Sequence, residues 1–299
     1  MWQYGSMGVD ESSRRTFELL ANETRLGIIS ALGEASGEGG YATLAFSELQ
    51  EATGVEDNGH FNYHLQELVG EFVEDREDGY ALTLAGIRAY QAIVTRQSKT
   101  SVRIDPFDLG GECDSCGGDR EAWYKNGRAY LACKSCGERE IRYPVSSTQI
   151  DPEEPESVLD ALDARLRRDY HSMFNGLCPY CTGPVVTSIQ QSSGHWEETD
   201  MRSGELLVHA ACKECGWFLY ANLAAALRSK EPVQEFYLHR GVDLWAEHVM
   251  TTEIDWIVDS MDRDPVRVCG HFNCGGDRLD VEVDENFGVI DYTVREEDG

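Results

Sequence analysis

Four Cys-x-x-Cys pairs constrain this 299-residue chain more than any other feature: Cys113-Asp-Ser-Cys116, Cys133-Lys-Ser-Cys136, Cys178-Pro-Tyr-Cys181 and Cys212-Lys-Glu-Cys215. Sixteen residues separate the first two pairs and thirty the last two. A tetrahedral metal needs four thiolates about 2.3 Å away, and two tight cysteine knuckles at the ends of a hairpin supply them. Residues 121–125 and 128–132, joined by Asn126-Gly127, read as such a hairpin, and 138–145 adds a third strand. The second set repeats the plan, with strands at 184–190, 205–211 and 217–220 and a polar tip containing Ser192, Ser193, Gly194 and His195. Both sets therefore read as zinc ribbons, an internal duplication with a closed, structural four-cysteine site in each. Four thiolates also hold an iron–sulfur cluster. Disulfides are disfavoured because unexported proteins keep their thiols reduced. Four regular knuckles do not fit a thioredoxin-like redox motif.

The second organised stretch is 44–84. Ser47 and Gln50 have capping-box spacing, Phe46 sits at a hydrophobic-staple position, and Gly54 ends a short helix. A second helix starts at Asp57 or Asn58 and buries Phe61, Leu65 and Leu68 at i, i+4 and i+7. Its other side carries His60, Tyr63, His64 and Glu67, flanked by Asn62 and Gln66. Strands at 72–76 and 80–84, joined by Glu77-Asp78-Gly79, complete a hairpin. Two short helices joined by a glycine-containing turn match the helix-turn-helix unit, whose second helix enters the DNA major groove.

Ala21-Asn22-Glu23-Thr24-Arg25-Leu26 with Ile28, Ile29 and Leu32 resembles the first helix of ArsR-type winged-helix repressors. Gly59-His60-Phe61-Asn62-Tyr63-His64-Leu65 with Leu68-Val69 resembles the recognition helix of their haloarchaeal relatives, and Asp78-Gly79-Tyr80-Ala81-Leu82-Thr83 resembles the wing. The resemblance covers 12–97. It implies a DNA-binding transcriptional regulator in which His60, Asn62, Tyr63, His64 and Gln66 approach base edges and Arg76 reaches backbone or minor groove. It also implies terminal helices that build a homodimer, placing two recognition helices one DNA turn apart.

Charge bears on that expectation. The chain carries 54 acidic and 26 basic residues, a net of −28, with only five lysines. The acidity is spread evenly, as suits a cytoplasm at multimolar salt. Residues 12–97 hold six arginines and fourteen acids, a net of −8, which opposes phosphate at low ionic strength. At about 1 M salt the Debye length is about 3 Å, so the repulsion is screened and groove fit decides. Against this background 113–142 stands out, with six bases and five acids for a net of +1, whereas 178–215 is −3.

The remaining chain reads as follows. Residues 13–31 form the first helix, with Phe17 and Leu20 in its core; 33–40, with four glycines, is a loop; and 84–97 is helical. Helices are expected at 155–174, 221–227 and 233–240, and strands at 254–258, 266–272, 279–283 and 289–294. Cys269 and Cys274, with His271 between them, offer a third metal site or a redox pair. No stretch approaches eighteen apolar residues, and residues 1–11 hold neither a basic nor an apolar segment, so an unexported, cytoplasmic protein without a membrane span is expected. Met7 is a second possible start. No phosphate-binding glycine loop, nucleophile elbow or His-Glu-x-x-His motif occurs, and nothing nominates a nucleophile.

The fold expected is α+β: a winged helix-turn-helix domain at 12–97, a linker at 98–112, a first ribbon at 113–145, a connecting helix at 155–174, a second ribbon at 178–221, and a helical segment with a C-terminal β sheet at 222–299. The function expected is sequence-specific binding of double-stranded DNA. Two alternatives stand beside it: an adaptor whose ribbons dock on a protein of the transcription machinery, and a repressor that senses metal or thiol oxidation through Cys269 and Cys274.

Overall fold

Asn22 interrupts what the sequence suggests is one helix. Its backbone is extended (φ −130°, ψ 130°) and its side chain accepts the Arg25 N–H at 3.1 Å, the geometry of an N-cap. Two helices result, α1 (Glu11–Leu20) and α2 (Glu23–Glu34). The break turns Phe17 out to 71% exposure and puts Leu19 in the core instead. In the computed structural model, residues 11–35, 42–97, 102–113, 115–191, 206–248, 254 and 256–296 are described. They form an α+β structure of eight α-helices and four small sheets, in two compact units, 1–100 and 101–299.

In the first unit, α3 (Phe46–Thr53) is entered two residues before the expected capping box. Glu48 accepts the Ala45 N–H at 2.9 Å, and Ala45 has no oxygen with which to reciprocate. Gln50 instead donates to the Val55 carbonyl at 2.9 Å, across the turn that Gly54 makes at φ 69°. α4 (Asn58–Leu68) starts at Asp57, which accepts the His60 N–H at 2.7 Å, and fully buries Phe61, Leu65 and Leu68. The hairpin β1 (Val73–Arg76) and β2 (Gly79–Leu82) turns on residues 77–78, with Tyr80 also paired to Leu44. α5 (Leu84–Gln97) lays Ile87, Tyr90 and Ile93 on this core. A Cβ on Gly33 would come within 2.3 Å of the Tyr90 ring, so Gly33 is a close-packing residue of α2 and not the start of a loop. Residues 36–40 of the expected loop lie outside the described residues.

In the second unit, much of the expected linker is structured. β3 (Ile104–Glu112) pairs antiparallel with β4 (Asp119–Lys125), giving the sheet order β3-β4-β5-β6 with β5 (Arg128–Cys133) and β6 (Arg139–Pro144). A register shift between Ile104 and Phe107 turns Ile104, Phe107 and Leu109 toward the core, with Ile104 opposite Tyr124, while Asp105 and Asp108 point to solvent. α6 (Ser157–Phe174) follows. Its Val158, Leu162 and Leu166 pack on the first sheet, and its Met173 and Phe174 pack in a second core.

That second core joins the rest of the chain. β7 (Val185–Gln191), β8 (Leu206–Cys212) and β9 (Phe218–Asn222) form a three-stranded sheet. α7 (Leu223–Leu227) and α8 (Glu231–Leu238) follow, then the meander β10 (Trp256–Arg263), β11 (Val266–Cys274), β12 (Asp277–Asp284) and β13 (Val289–Arg295). Val208 and Leu219 of the second ribbon share one cluster with Phe236 of α8 and Val268, Phe272 and Leu279 of the meander. The polar tip expected at 192–195 lies outside the described residues.

Candidate metal centres and the surface of α4

Three of the Cys-x-x-Cys pairs are turns closed by their own backbone. Gly117 N–H bonds the Cys113 carbonyl at 2.7 Å, Gly137 that of Cys133 at 3.0 Å, and Thr182 that of Cys178 at 3.0 Å. The residue after the second cysteine has positive φ in all four turns: Gly117 at 69°, Gly137 at 72°, Thr182 at 61° and Gly216 at 71°. Glycine takes this conformation without cost; Thr182, β-branched, does not. Backbone N–H groups also point at sulfur, from Ser135 to Cys133 at 3.3 Å and from Glu214 to Cys212 at 3.4 Å.

The hairpins bring the pairs together. Cys113 and Cys136 sulfurs are 3.9 Å apart and Cys116 and Cys133 3.5 Å; in the second ribbon Cys178 and Cys215 are 3.6 Å apart and Cys181 and Cys212 3.4 Å. Ligands about 2.3 Å from a tetrahedral metal are separated by about 3.8 Å, whereas a disulfide needs about 2.05 Å. All eight cysteines are free thiols, and each set of four is compact enough for one metal ion. Both four-cysteine groups thus fit a structural metal with no open coordination position. The backbone N–H groups of Cys136 and Ser135, opposed by burial, bring the Cys133 thiol down to about 6. Burial pushes Cys212 up, but N–H groups of Cys215 and Glu214 outweigh it and hold the thiol at about 7.

Cys269, His271 and Cys274, which in sequence could supply a third site or a redox pair, do not come together. β11 runs in unbroken register with β12 from Arg267 to Cys274, so Cys269 and Cys274, five residues apart, face opposite sides of the sheet. Their separation along the strand is about 17 Å, against the 4.4–6.8 Å between Cα atoms that a disulfide requires. Cys274 packs on the core. His271 instead gathers with Asp259 and Asp280. Its Nδ1 lies 2.9 Å from Asp259 Oδ2, which also accepts from Arg278 at 2.9 Å. Arg278 and Arg295 each reach Asp280 at 2.6 Å. With two guanidiniums already on the carboxylates, the cluster is a charge network across the meander. Residue order alone does not reveal it, because Asp259 sits on a register shift of β10.

On α4, His60, Asn62, Tyr63 and Gln66 are exposed, Tyr63 to 59%. His64, expected beside them, is 7% exposed. Its Nε2 lies 3.2 Å from His60 Nε2 and its Nδ1 3.4 Å from the Arg25 guanidinium, which is anchored to the Leu19 and Glu18 carbonyls. Desolvation, then the neighbouring His60 and Arg25, push the His64 pKa below its ordinary value. His64 stands at i+3 from Phe61 and so belongs to the buried i, i+3, i+4, i+7 side of α4 with Leu65 and Leu68, where Arg25 of α2 packs against it. Arg76, exposed on β1, pairs with Glu74.

Comparison with known families fits the division into units. A family model described as "Domain of unknown function (DUF7351)" matches residues 110–289, well over half of the chain. The chain belongs to the DUF7351 family. The DUF7351 match contains both thiolate centres, α6 and nearly the whole C-terminal meander up to Val289. A second model, "Domain of unknown function (DUF7347)", matches 13–93, from α1 into α5. Searches of curated proteins and of solved structures gave no match. No helix among the described residues is long and apolar enough to cross a membrane.

Proposed function

We propose that this DUF7351 protein is a sequence-specific regulator of transcription that binds double-stranded DNA through a winged helix-turn-helix unit formed by α3, α4 and the β1–β2 hairpin. The observation that carries the reading is the division of α4 into two sides. Phe61, Leu65 and Leu68 anchor it, while His60, Asn62, Tyr63 and Gln66 project from a polar side on which Glu67, half-buried, is the one full charge of α4. Asn and Gln read adenine by paired hydrogen bonds, and Tyr and His stack on or bond to base edges. Arg76 at the hairpin tip supplies a backbone contact. A homodimer is the working assembly, supported by apolar side chains left exposed on the unit's outer helices: Phe17 on α1, and Leu84 and Val94 on α5. The two four-cysteine groups hold zinc, the closed-shell ion that all-thiolate tetrahedral ligation suits. The protein works as a cytoplasmic regulator at high salt.

Selection of genomic fragments at about 2 M KCl, where exposed charges are screened, tests this with wild type and an Asn62→Ala, Tyr63→Ala variant. Enrichment of a near-palindromic site by wild type alone is expected. Absence of enrichment from metal-loaded, folded wild type rejects the reading in favour of an adaptor that docks on the transcription machinery.

A further inference from the structure

The solvent side of the first ribbon is built differently from the rest of this acidic protein. Trp123, Tyr130 and Arg142 form one rung across β4, β5 and β6, and Lys125 and Arg128 form the next with Pro144. Strand alternation puts all six side chains on one face, opposite the buried Ala122, Tyr124, Ala129 and Leu131. The Trp123 and Tyr130 rings are parallel (2° between planes), with centroids 5.0 Å apart, and both are only partly buried. Lys125, Arg128 and Arg142 are exposed, and none of the ion pairs seen among the described residues involves them. Elsewhere in the unit, Arg103, Lys134, Arg165, Arg167, Arg168 and Arg240 all meet carboxylates. Lys125 and Arg128 are also direct cross-strand partners, a like-charge pairing that costs sheet stability. Acids share the face on its β3 side, Asp119 and Glu121 on β4 with Asp108 and Glu112 opposite them on β3, while the three cations lie at the turn end of β4 and β5 and on β6.

We infer that this face binds single-stranded nucleic acid, with unpaired bases stacking on Trp123 and Tyr130 and phosphates meeting Lys125, Arg128 and Arg142. Aromatic platforms flanked by cations bind single strands in this way, because every base has a π-face and a duplex hides it. An acidic peptide would engage the cations and leave the aromatic pair unused. The second ribbon repeats the platform without the cations. His209, three residues before Cys212 as Tyr130 is before Cys133, stacks on Tyr220 at 4.5 Å, with Phe218 exposed alongside. This inference is independent of DNA reading by α4.

Fluorescence anisotropy of full-length, metal-loaded protein with labelled oligo(dT) and oligo(U) of about twelve nucleotides, a length within the usual site sizes, tests it at about 2 M and about 0.3 M KCl. Saturable binding of at least one oligonucleotide is expected, and comparing the two tells DNA from RNA. Trp123→Ala should weaken it about tenfold or more at both salt concentrations, since stacking is not screened. The surface variant Arg128→Glu, Arg142→Glu, which leaves the core and cysteines untouched, should weaken it most at low salt. Three results overturn the inference: no oligonucleotide binding by wild type, equal affinity of all three proteins with metal content intact, or loss of binding on Asn62→Ala, Tyr63→Ala alone.

Discussion

The Tyr143 hydroxyl donates to Asp169 Oδ2 at 2.8 Å, joining β6 of the first ribbon to the fully buried carboxylate of α6. Asp169 also accepts from Arg165 at 2.9 Å and from Arg168 at 2.9 and 2.7 Å. Arg165 lies 4.8 Å above the Tyr180 ring, and Tyr180 packs on Trp217 with centroids 4.6 Å apart. One buried carboxylate thus ties the first ribbon, α6 and both knuckles of the second ribbon together. Burial, then the Asp169 charge, push the Tyr143 pKa well above its ordinary value, so the phenol remains a donor. Removing a buried charge from under its partners is costly because the guanidiniums are left uncompensated. Asp169→Ala should destabilise the second unit by about 3 kcal/mol and Tyr143→Phe by about 1 kcal/mol. Calorimetry of the full chain checks both, and the transition of residues 11–97 should not move.

Thr182 occupies a left-handed position that glycine fills in the other three knuckles. Its hydroxyl bond to the Cys181 carbonyl at 2.6 Å offsets part of the conformational cost. Thr182→Gly should therefore change stability by less than about 1 kcal/mol, in the favourable direction, whereas Gly216→Thr should cost about 1–2 kcal/mol. Thermal melts of the two variants measure the opposite signs.

Metal content should be two ions per chain, and Cys133→Ser or Cys212→Ser should each remove one. Native mass spectrometry counts them. Because β8 and β9 share a core with the C-terminal meander, loss of the second metal should loosen Phe236, Phe272 and Leu279 as well. Hydrogen exchange should show β11 and β12 losing protection in Cys212→Ser and retaining most of it in Cys133→Ser.

His64 gives the first unit a pH dependence. Its folded pKa is lowered, by desolvation first, so the unfolded chain binds the proton more readily. The contribution is whole above the unfolded value of about 6.5 and is lost as pH falls through the folded value. The first transition should shift down as pH falls below about 6.5, and His64→Gln should remove that part of the shift.

Local chemistry made much of this molecule legible in sequence. The spacing of eight cysteines, the Asn126-Gly127 turn, the buried stripe Phe61, Leu65 and Leu68 and the alternation of Leu279, Val281 and Val283 are each set by neighbours within a few residues. α5 was legible for the same reason. Boundaries failed where one polar side chain arbitrates between conformations: Asn22 splits a helix, and Glu48 rather than Ser47 sets the start of α3.

What only the tertiary structure decided concerns pairs distant in sequence. Strand register placed Cys269 and Cys274 on opposite faces and gathered Asp259, His271 and Asp280 instead. The edge of β4 drew Ile104–Glu112 out of the expected linker. Hydrophobic spacing tells which side of an element is buried, but not against what. Asp163 and Asp169, buried at 2% and 0% exposure, show this most directly. Their i, i+4 arginines, Arg167 and Arg165, are visible in the sequence, and burial follows only from the sheets that close over α6.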